Sequence, residues 1–193
     1  MSSQDRGMAF VDFENINITA RREHGLKYMN FNKLREILLK DLRMVGCIVY
    51  LPNMMKDLLP YIQKSGLEVK VVSPGKSIDG RLIFDLLTSA QRDDFDVAVI
   101  ASGDRDFIPV VEAVMRLKKK VRIASFSAAL AHGLNSVVDL VINLDPHIAE
   151  ISLQVYPYKC TICGSDFELP FKLYPSQKPY CKNCIRSHRF ESP

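Results

Sequence analysis

Short apolar segments alternate with longer amphipathic segments along most of this 193-residue sequence. Several of the short segments are continuous apolar runs, as in strands that a sheet buries on both faces. Between residue 8 and about residue 144, this alternation predicts an α/β domain with a mainly parallel sheet. The predicted strands are MAFVDF, VGCIVYL, LEVKVV, DVAVIAS, VRIASF and VDLVINL.

Amphipathic segments between these strands predict helices, because their apolar residues recur at helical spacing. Pro60 interrupts one of them and predicts a broken or kinked helix. Pro109 falls in the first turn of another, where a missing N–H group is tolerated. The predicted helices are FNKLREILLKDLR, NMMKDLLPYIQKSG, GRLIFDLLTSAQ and FIPVVEAVMRLKKK.

Composition and charge exclude some classes of protein. Charged residues interrupt the apolar runs well before the roughly 18 residues that a membrane helix needs. The segment MSSQDRG also lacks the apolar core of a signal peptide. We therefore expect a cytoplasmic protein without a membrane partner. The formal net charge of +4 is too small to indicate a nucleic-acid partner by itself.

Aspartates follow three of the predicted strands, close to the point where each strand ends. Asp12 ends the first strand, Asp79 begins the helix after the third, and Asp104 and Asp106 follow the fourth. Ligands bind outside the carboxyl ends of the strands in open parallel sheets, so these side chains should converge on one crevice. Gathered carboxylates repel one another unless a cation holds them. Oxygen ligands without neighbouring His or Cys favour Mg²⁺ or Mn²⁺ over zinc.

Each of these aspartates has an alternative interpretation as a helix cap or turn residue, and only their convergence favours a metal site. Asn15 is expected to add a neutral oxygen or to orient a neighbouring aspartate. Asp85, two turns after Asp79, is expected to join the carboxylates. Glu14 is interpreted as a solvated side chain. The acidic residues before the fourth strand are interpreted as a turn: Asp93, Asp94 and Asp96.

Four of the five cysteines form two Cys-x-x-Cys pairs that are separated by seventeen residues. This spacing is typical of a structural zinc ribbon, in which four thiolates surround one ion and leave no open position. Without a predicted secretory signal, metal binding is favoured over disulfides. The predicted zinc ligands are Cys160, Cys163, Cys181 and Cys184. Cys47 lies within an apolar run and is expected to be a small buried hydrophobe.

The change in pattern predicts two domains, the first over residues 1–148 and a zinc ribbon over residues 156–193. Cations and aromatic residues in the ribbon suit phosphate contacts and base stacking in RNA. In the alternative, the aromatic residues fill a small core and the cations keep the module soluble. A protein partner for the ribbon is also open. The residues concerned are Lys178, Tyr180, Lys182, Arg186, Arg189 and Phe190.

Three motifs in the order FVDFENI, GKSIDGRLIFD and VIASGDRDFIPVV resemble the NYN domain, in its LabA-like or DUF88 branch, within the PIN-like nuclease superfamily. The resemblance covers about residues 7–145. It implies a PIN-like α/β/α sandwich, an acidic site for Mg²⁺ or Mn²⁺, and ribonuclease activity. The acidic set that it implies is Asp12, Asp79, Asp104 and Asp106, with Asn15 as the accompanying polar residue. Lys76 falls on a family lysine and is expected to hold a substrate phosphate.

We therefore expect a metal-dependent ribonuclease of the endonuclease type that carries a zinc ribbon. One alternative is a non-catalytic RNA-binding or protein-interaction module that keeps the fold. Another is a phosphatase-like enzyme that acts on small phosphoesters. Retention of the carboxylates favours catalysis, because repulsion next to a phosphate gives a binding protein no advantage. The sequence leaves open the RNA target, the number of metal ions and the oligomeric state.

Overall fold

The computed structural model describes residues 4–187. Within these residues, six strands form one sheet in the order β3-β2-β1-β4-β5-β6, and every neighbouring pair is parallel. The predicted parallel sheet is therefore confirmed. The strands are β1 Arg6–Asp12, β2 Arg43–Pro52, β3 Glu68–Val72, β4 Val97–Ala101, β5 Lys120–Ser125 and β6 Leu140–Asn143.

Helices connect the strands and cover both faces of the sheet. On one face, α1 and α2 pack against Val11 and Val49, and on the other, α4 and α5 pack against Phe10 and Ile100. This makes the α/β/α sandwich that the family resemblance implies. The helices are α1 Phe13–His24, α2 Phe31–Leu38, α3 Leu59–Gln63, α4 Ile78–Gln91, α5 Ile108–Arg116, α6 Leu134–Val137, α7 Ile148–Ile151 and α8 Lys182–Ser187.

Helix α1 was not among the predicted helices. The Asp12 side chain caps its first turn by accepting a hydrogen bond from the Asn15 backbone N–H. Gly25 ends it in the left-handed conformation, with φ of 64°. Because the cap is the last residue of β1, the strand passes directly into the helix and Asn15 lies one turn from Asp12.

The prolines act as predicted. The segment around Pro60 is divided into a 3₁₀ turn, Asn53–Leu58, and the short helix α3. Pro109 lies in the first turn of α5. Helix α2 ends at Leu38, earlier than predicted, and Asp41 follows with a positive φ of 65° that a continuing helix does not allow. Cys47 is buried, as predicted.

The C-terminal module is a hairpin followed by a helix. Strands β7 (Tyr156–Lys159) and β8 (Asp166–Leu169) pair antiparallel, and α8 follows. The Tyr28 hydroxyl donates a hydrogen bond of 3.1 Å to the Glu168 carbonyl, and Lys27 forms an ion pair with the Glu168 carboxylate. The module therefore packs on the loop between α1 and α2.

The domain bounds 1–148 and 156–193 remain a prediction. The predicted RNA contacts Arg189 and Phe190, and the side chain of Arg186, lie outside the described residues. Within residues 4–187, no helix is both long enough and apolar enough to cross a membrane.

Candidate metal centre

Three aspartates line one open cleft of about 400 Å³ at the carboxyl edge of the sheet. Asp12 ends β1, Asp104 follows the neighbouring strand β4, and Asp79 lies in the first turn of α4. The strand order reverses between β1 and β4, and such a switch point is where open α/β sheets bind ligands. The structure thus brings together Asp12, Asp79 and Asp104, but neither Asp106 nor Asp85 lines the cleft.

Asp12 is fixed and almost fully buried, with 6% of its surface exposed. Its Oδ1 accepts the Asn15 backbone hydrogen bond at 3.2 Å, and its Oδ2 accepts one from the Ser102 hydroxyl at 3.3 Å. Burial raises the pKa of Asp12 to about 6, and the negative charge of Asp79 adds to this effect against the two hydrogen bonds. The folded chain therefore holds a carboxylate whose charge is poorly compensated.

The loop after β4 is held against α1. The Asn15 Oδ1 atom accepts a hydrogen bond of 3.2 Å from the Gly103 N–H. A Cβ atom at Gly103 would lie 2.2 Å from the Ala129 carbonyl oxygen, so only glycine fits this close approach. Of the two predicted roles for Asn15, the hydrogen bond favours orientation, because its carboxamide oxygen positions the residue next to Asp104.

Asp79 and Asp106 differ in position. Asp79 is half-buried, and burial followed by the charges of Asp104, Asp106 and Glu14 raises its pKa. Asp106 is exposed and does not line the cleft. Its backbone N–H donates a hydrogen bond of 3.0 Å to the Asp104 Oδ1 atom, which caps the 3₁₀ turn Arg105–Phe107. Asp106 thus affects the cleft through its charge.

Glu14 corrects the sequence interpretation. It was expected to be solvated, but it is half-buried and lines the cleft. Its charge helps to raise the pKa of both Asp12 and Asp79. Glu14 lies two residues after Asp12, in the first turn of α1. This position could have identified it, but α1 was not predicted from the sequence.

Asp85 is the clearest correction, because it does not join the acidic group. Its Oδ2 accepts hydrogen bonds from the Tyr50 hydroxyl, Lys70 Nζ and Arg81 Nε at 2.9 to 3.0 Å. Burial alone would raise the pKa of Asp85, but the bonds from Arg81, Lys70 and Tyr50 outweigh it and hold the pKa below its usual value. The negative charge of Asp85 is therefore compensated, and its hydrogen bonds link α4 to β2 and β3.

The other acidic predictions near the sheet agree with the structure. Asp93 has a positive φ of 60° and lies in the turn before β4, as predicted. Arg6 forms ion pairs with Asp93 and Asp96 across the amino edge of the sheet. These carboxylates are therefore engaged at the edge opposite the cleft.

The cleft residues fit a hard divalent cation through their chemistry. The carboxylates supply oxygen donors, and the raised pKa of Asp12 and Asp79 is the electrostatic imbalance that a cation would relieve. Their spacing is wide: within residues 4–187, only the cysteines bring three or more ligand atoms within 4.8 Å of one another. Mg²⁺ keeps several water ligands and is usually bound through one or two carboxylates, so this spacing does not exclude it.

The four predicted cysteine ligands form a compact group. All four Sγ atoms lie within 4.8 Å of one another, and Cys163 Sγ and Cys181 Sγ are 3.6 Å apart. Backbone N–H groups of Cys163 and Cys181 lower the pKa of Cys160 to about 6, whereas the hydrogen bond with the Cys163 thiol raises the pKa of Cys184 to about 12. The close approach of the four Sγ atoms fits the predicted zinc ribbon.

The parallel α/β domain is consistent with a PIN-like fold, and the four-cysteine cluster that follows it fits a zinc ribbon. The NYN domain family matches residues 6–145, and the chain belongs to this family. This confirms the resemblance of the three motifs. Assignment to the LabA-like branch stays a prediction.

A solved structure from Vibrio parahaemolyticus, described as a protein of unknown function, is similar to the chain. Its TM-score is 0.64 at 21% sequence identity, and the match covers 75% of this chain and 97% of that chain. At this identity, the likeness shows the fold alone. No curated protein sequence matches the chain significantly.

Proposed function

We propose that this protein is a metal-dependent ribonuclease that hydrolyses RNA phosphodiesters in the cleft of Asp12, Asp79 and Asp104. Membership of the NYN family supports a nuclease that acts on RNA. The observation that carries the proposal is the convergence of three carboxylates from three elements, two of them with a raised pKa. A site that served only to bind phosphate would not be expected to gather carboxylates, because their negative charges repel it.

The cleft residues would have different roles, because they occupy different positions. Asp12 and Asp104 would hold Mg²⁺ or Mn²⁺, because both line the cleft at the carboxyl ends of two neighbouring strands. When bound, the ion supplies a water nucleophile and stabilises charge on the phosphodiester oxygens. Asp79, with its raised pKa, would orient the attacking water or accept its proton. Asp106, which is exposed, would act through its charge or bind the ion through water.

Two further features support positioning of an RNA chain. Lys76 lines the cleft, is exposed, and forms no ion pair with any residue in the described range, so it is available to a phosphate. The cleft shares lining residues with a groove on each side, so a bound chain need not end there. This supports the endonuclease mode. The zinc ribbon would add a structural Zn²⁺ and a surface for RNA or for a protein partner.

The reaction class can be tested with the purified wild-type chain in Mg²⁺, in Mn²⁺ and in EDTA. We expect internal cleavage of an RNA of mixed structure in either metal and none in EDTA. A parallel assay with p-nitrophenyl phosphate tests the phosphatase alternative, for which turnover of the monoester without RNA cleavage is expected. RNA binding without any metal-dependent product would instead favour the non-catalytic module.

A further inference from the structure

A second groove of about 650 Å³ adjoins the acidic cleft. The end of β3, the loop that follows it and the first turns of α4 form its walls. Lys76 and Ser77 line both the groove and the cleft, so the two spaces are continuous. Any ligand that extends from the carboxylates toward β3 therefore enters this groove.

Phe84 lines this groove and is 64% exposed. Its neighbours Leu82 and Leu86 on the same helix are fully buried, so α4 has no lack of core contacts on its inner face. Burial of an aromatic ring lowers the free energy of the folded chain, and an exposed ring does not gain this stabilisation. A large exposed ring beside a candidate site therefore indicates a surface that can bind a ligand. The ring is available to a flat ligand.

The charges around Phe84 are positive. The groove is lined by Lys70, Lys76 and Arg81, and no carboxylate is among its lining residues. Lys70 is engaged by Asp85 and Glu68, whereas Arg81 bonds to Asp85 through Nε alone and its side chain is 52% exposed. Lys76 is unpaired within residues 4–187. Two cations with capacity for an anion thus line the same groove as the ring.

We propose that Phe84 is a base-stacking platform that delivers single-stranded RNA to the acidic cleft, with Lys76 and Arg81 holding the neighbouring phosphates. Alternation of an aromatic face with cations is the arrangement that binds unpaired nucleotides. Base pairs in a duplex keep their faces stacked on one another, so an isolated ring beside a groove selects unpaired bases. This inference rests on the proposed function, because it names the substrate class of the same site.

The far side of the cleft is consistent with a strand that passes through. A groove of about 500 Å³ shares Asn15, Ile18 and Asp104 with the cleft and is lined further by Arg22 and Arg105. Arg22 forms an ion pair with Glu23, which also lines this groove, so Arg105 is the cation that the groove offers to a phosphate. Phe84 lies on the α4 side of the carboxylates, which assigns its stacked base to that side of the scissile bond.

The test measures RNA affinity in the full-length chain with Asp104→Asn, so that binding is separated from cleavage. The probe is a short fluorescein-labelled oligoadenylate, used single-stranded or annealed to its complement. Phe84→Ala is expected to weaken single-strand binding by about 5- to 140-fold, the range of one base–aromatic stack. Phe84→Trp should restore it, and duplex binding should not respond to either change.

Leu140→Ala is the matched control, because Leu140 is 47% exposed and begins β6 at the opposite edge of the sheet. Oligoadenylates with one abasic nucleotide give a second readout. When the abasic nucleotide lies at the stacked position, proteins with Phe84 and with Phe84→Ala should bind the oligoadenylate with equal affinity. If Phe84→Ala and Leu140→Ala bind the single strand with equal affinity, the proposal that Phe84 stacks on a base is wrong.

The nuclease proposal and the platform proposal can be contradicted independently of each other. If wild-type protein does not cut RNA but affinity still depends on Phe84, the platform stands and the nuclease proposal is wrong. If cutting depends on Asp104 but affinity is unchanged in Phe84→Ala, the platform is wrong and the nuclease proposal stands.

Discussion

Asp12 shows how one residue links fold and chemistry. It caps α1, accepts the Ser102 hydroxyl, and lies buried beside other carboxylates, so its charge is disfavoured although its position is fixed. Asp12 could be predicted as a candidate site residue because it ends a strand. Asp79 and Asp104 could be predicted because each follows one. Glu14 and Ser102 were not predicted, because their relation to Asp12 depends on a helix and a neighbouring strand that sequence spacing alone does not locate.

Asp12→Asn is expected to stabilise the chain in EDTA above pH 6. The folded-state pKa is raised from 3.8 to about 6, so the folded state binds the proton more tightly than the unfolded state does. The contribution of Asp12 to stability is therefore highest below pH 4 and falls as the pH rises from about 4 to 6, by roughly 2–3 kcal/mol. The substitution removes this loss, which urea unfolding across that pH range would measure.

Asp166→Asn is the control for this prediction, because the Asp166 side chain is 85% exposed. It should leave the pH dependence unchanged. An Asp12→Asn chain that is less stable than wild type at pH 7.5 in EDTA would show that the Asp12 carboxylate is compensated, contrary to the account.

At the scale of elements, α1 and α4 position the cleft. The strongly polar sequence of α1 hid its helical pattern, since only Phe13, Ile16, Asn17 and Ala20 are buried. The amphipathic pattern of α4 was recognised, but its acidic residues were grouped wrongly. Asp79 and Asp85 are six residues apart, which is about 240° around a helix, so the two carboxylates point to different sides.

Asp85→Asn is expected to lower the free energy of unfolding by about 1–3 kcal/mol, because Lys70 and Arg81 lose a charged partner that is largely buried. Asp79→Asn should not destabilise the chain, since it removes a carboxylate whose charge is disfavoured. Chemical denaturation in EDTA compares the two. Full stability of Asp85→Asn combined with loss of cleavage would instead place Asp85 in the reaction.

The ribbon gives a second prediction at this scale. Cys184→Ser is expected to abolish stoichiometric zinc and to expose residues 156–187 to proteolysis, because one of four clustered ligands is lost. Cys47→Ala should keep the zinc, since Cys47 lies in β2 of the first domain. Metal analysis with limited proteolysis measures both effects. A Cys184→Ser chain that retains one zinc ion would contradict the ribbon.

At the scale of the whole molecule, parallel strands that all end at one edge create the cleft. The parallel sheet was predictable from strand and helix alternation, but the strand order was not, because it depends on the direction of each crossover. Packing of the ribbon on Tyr28 and Lys27 was also not predictable, since residues about 140 positions apart make these contacts. The continuous grooves arise only at this scale, from loops of separate elements.

The most direct test of the carboxylate cleft is the single-turnover rate of RNA cleavage in Mg²⁺ by wild type, Asp104→Asn and the exposed control Asp166→Asn. We predict a loss of at least about 100-fold for Asp104→Asn, with wild-type rates for Asp166→Asn, because only Asp104 lines the cleft. Equal rates for wild type and Asp104→Asn, or cleavage that persists in EDTA, would contradict the account.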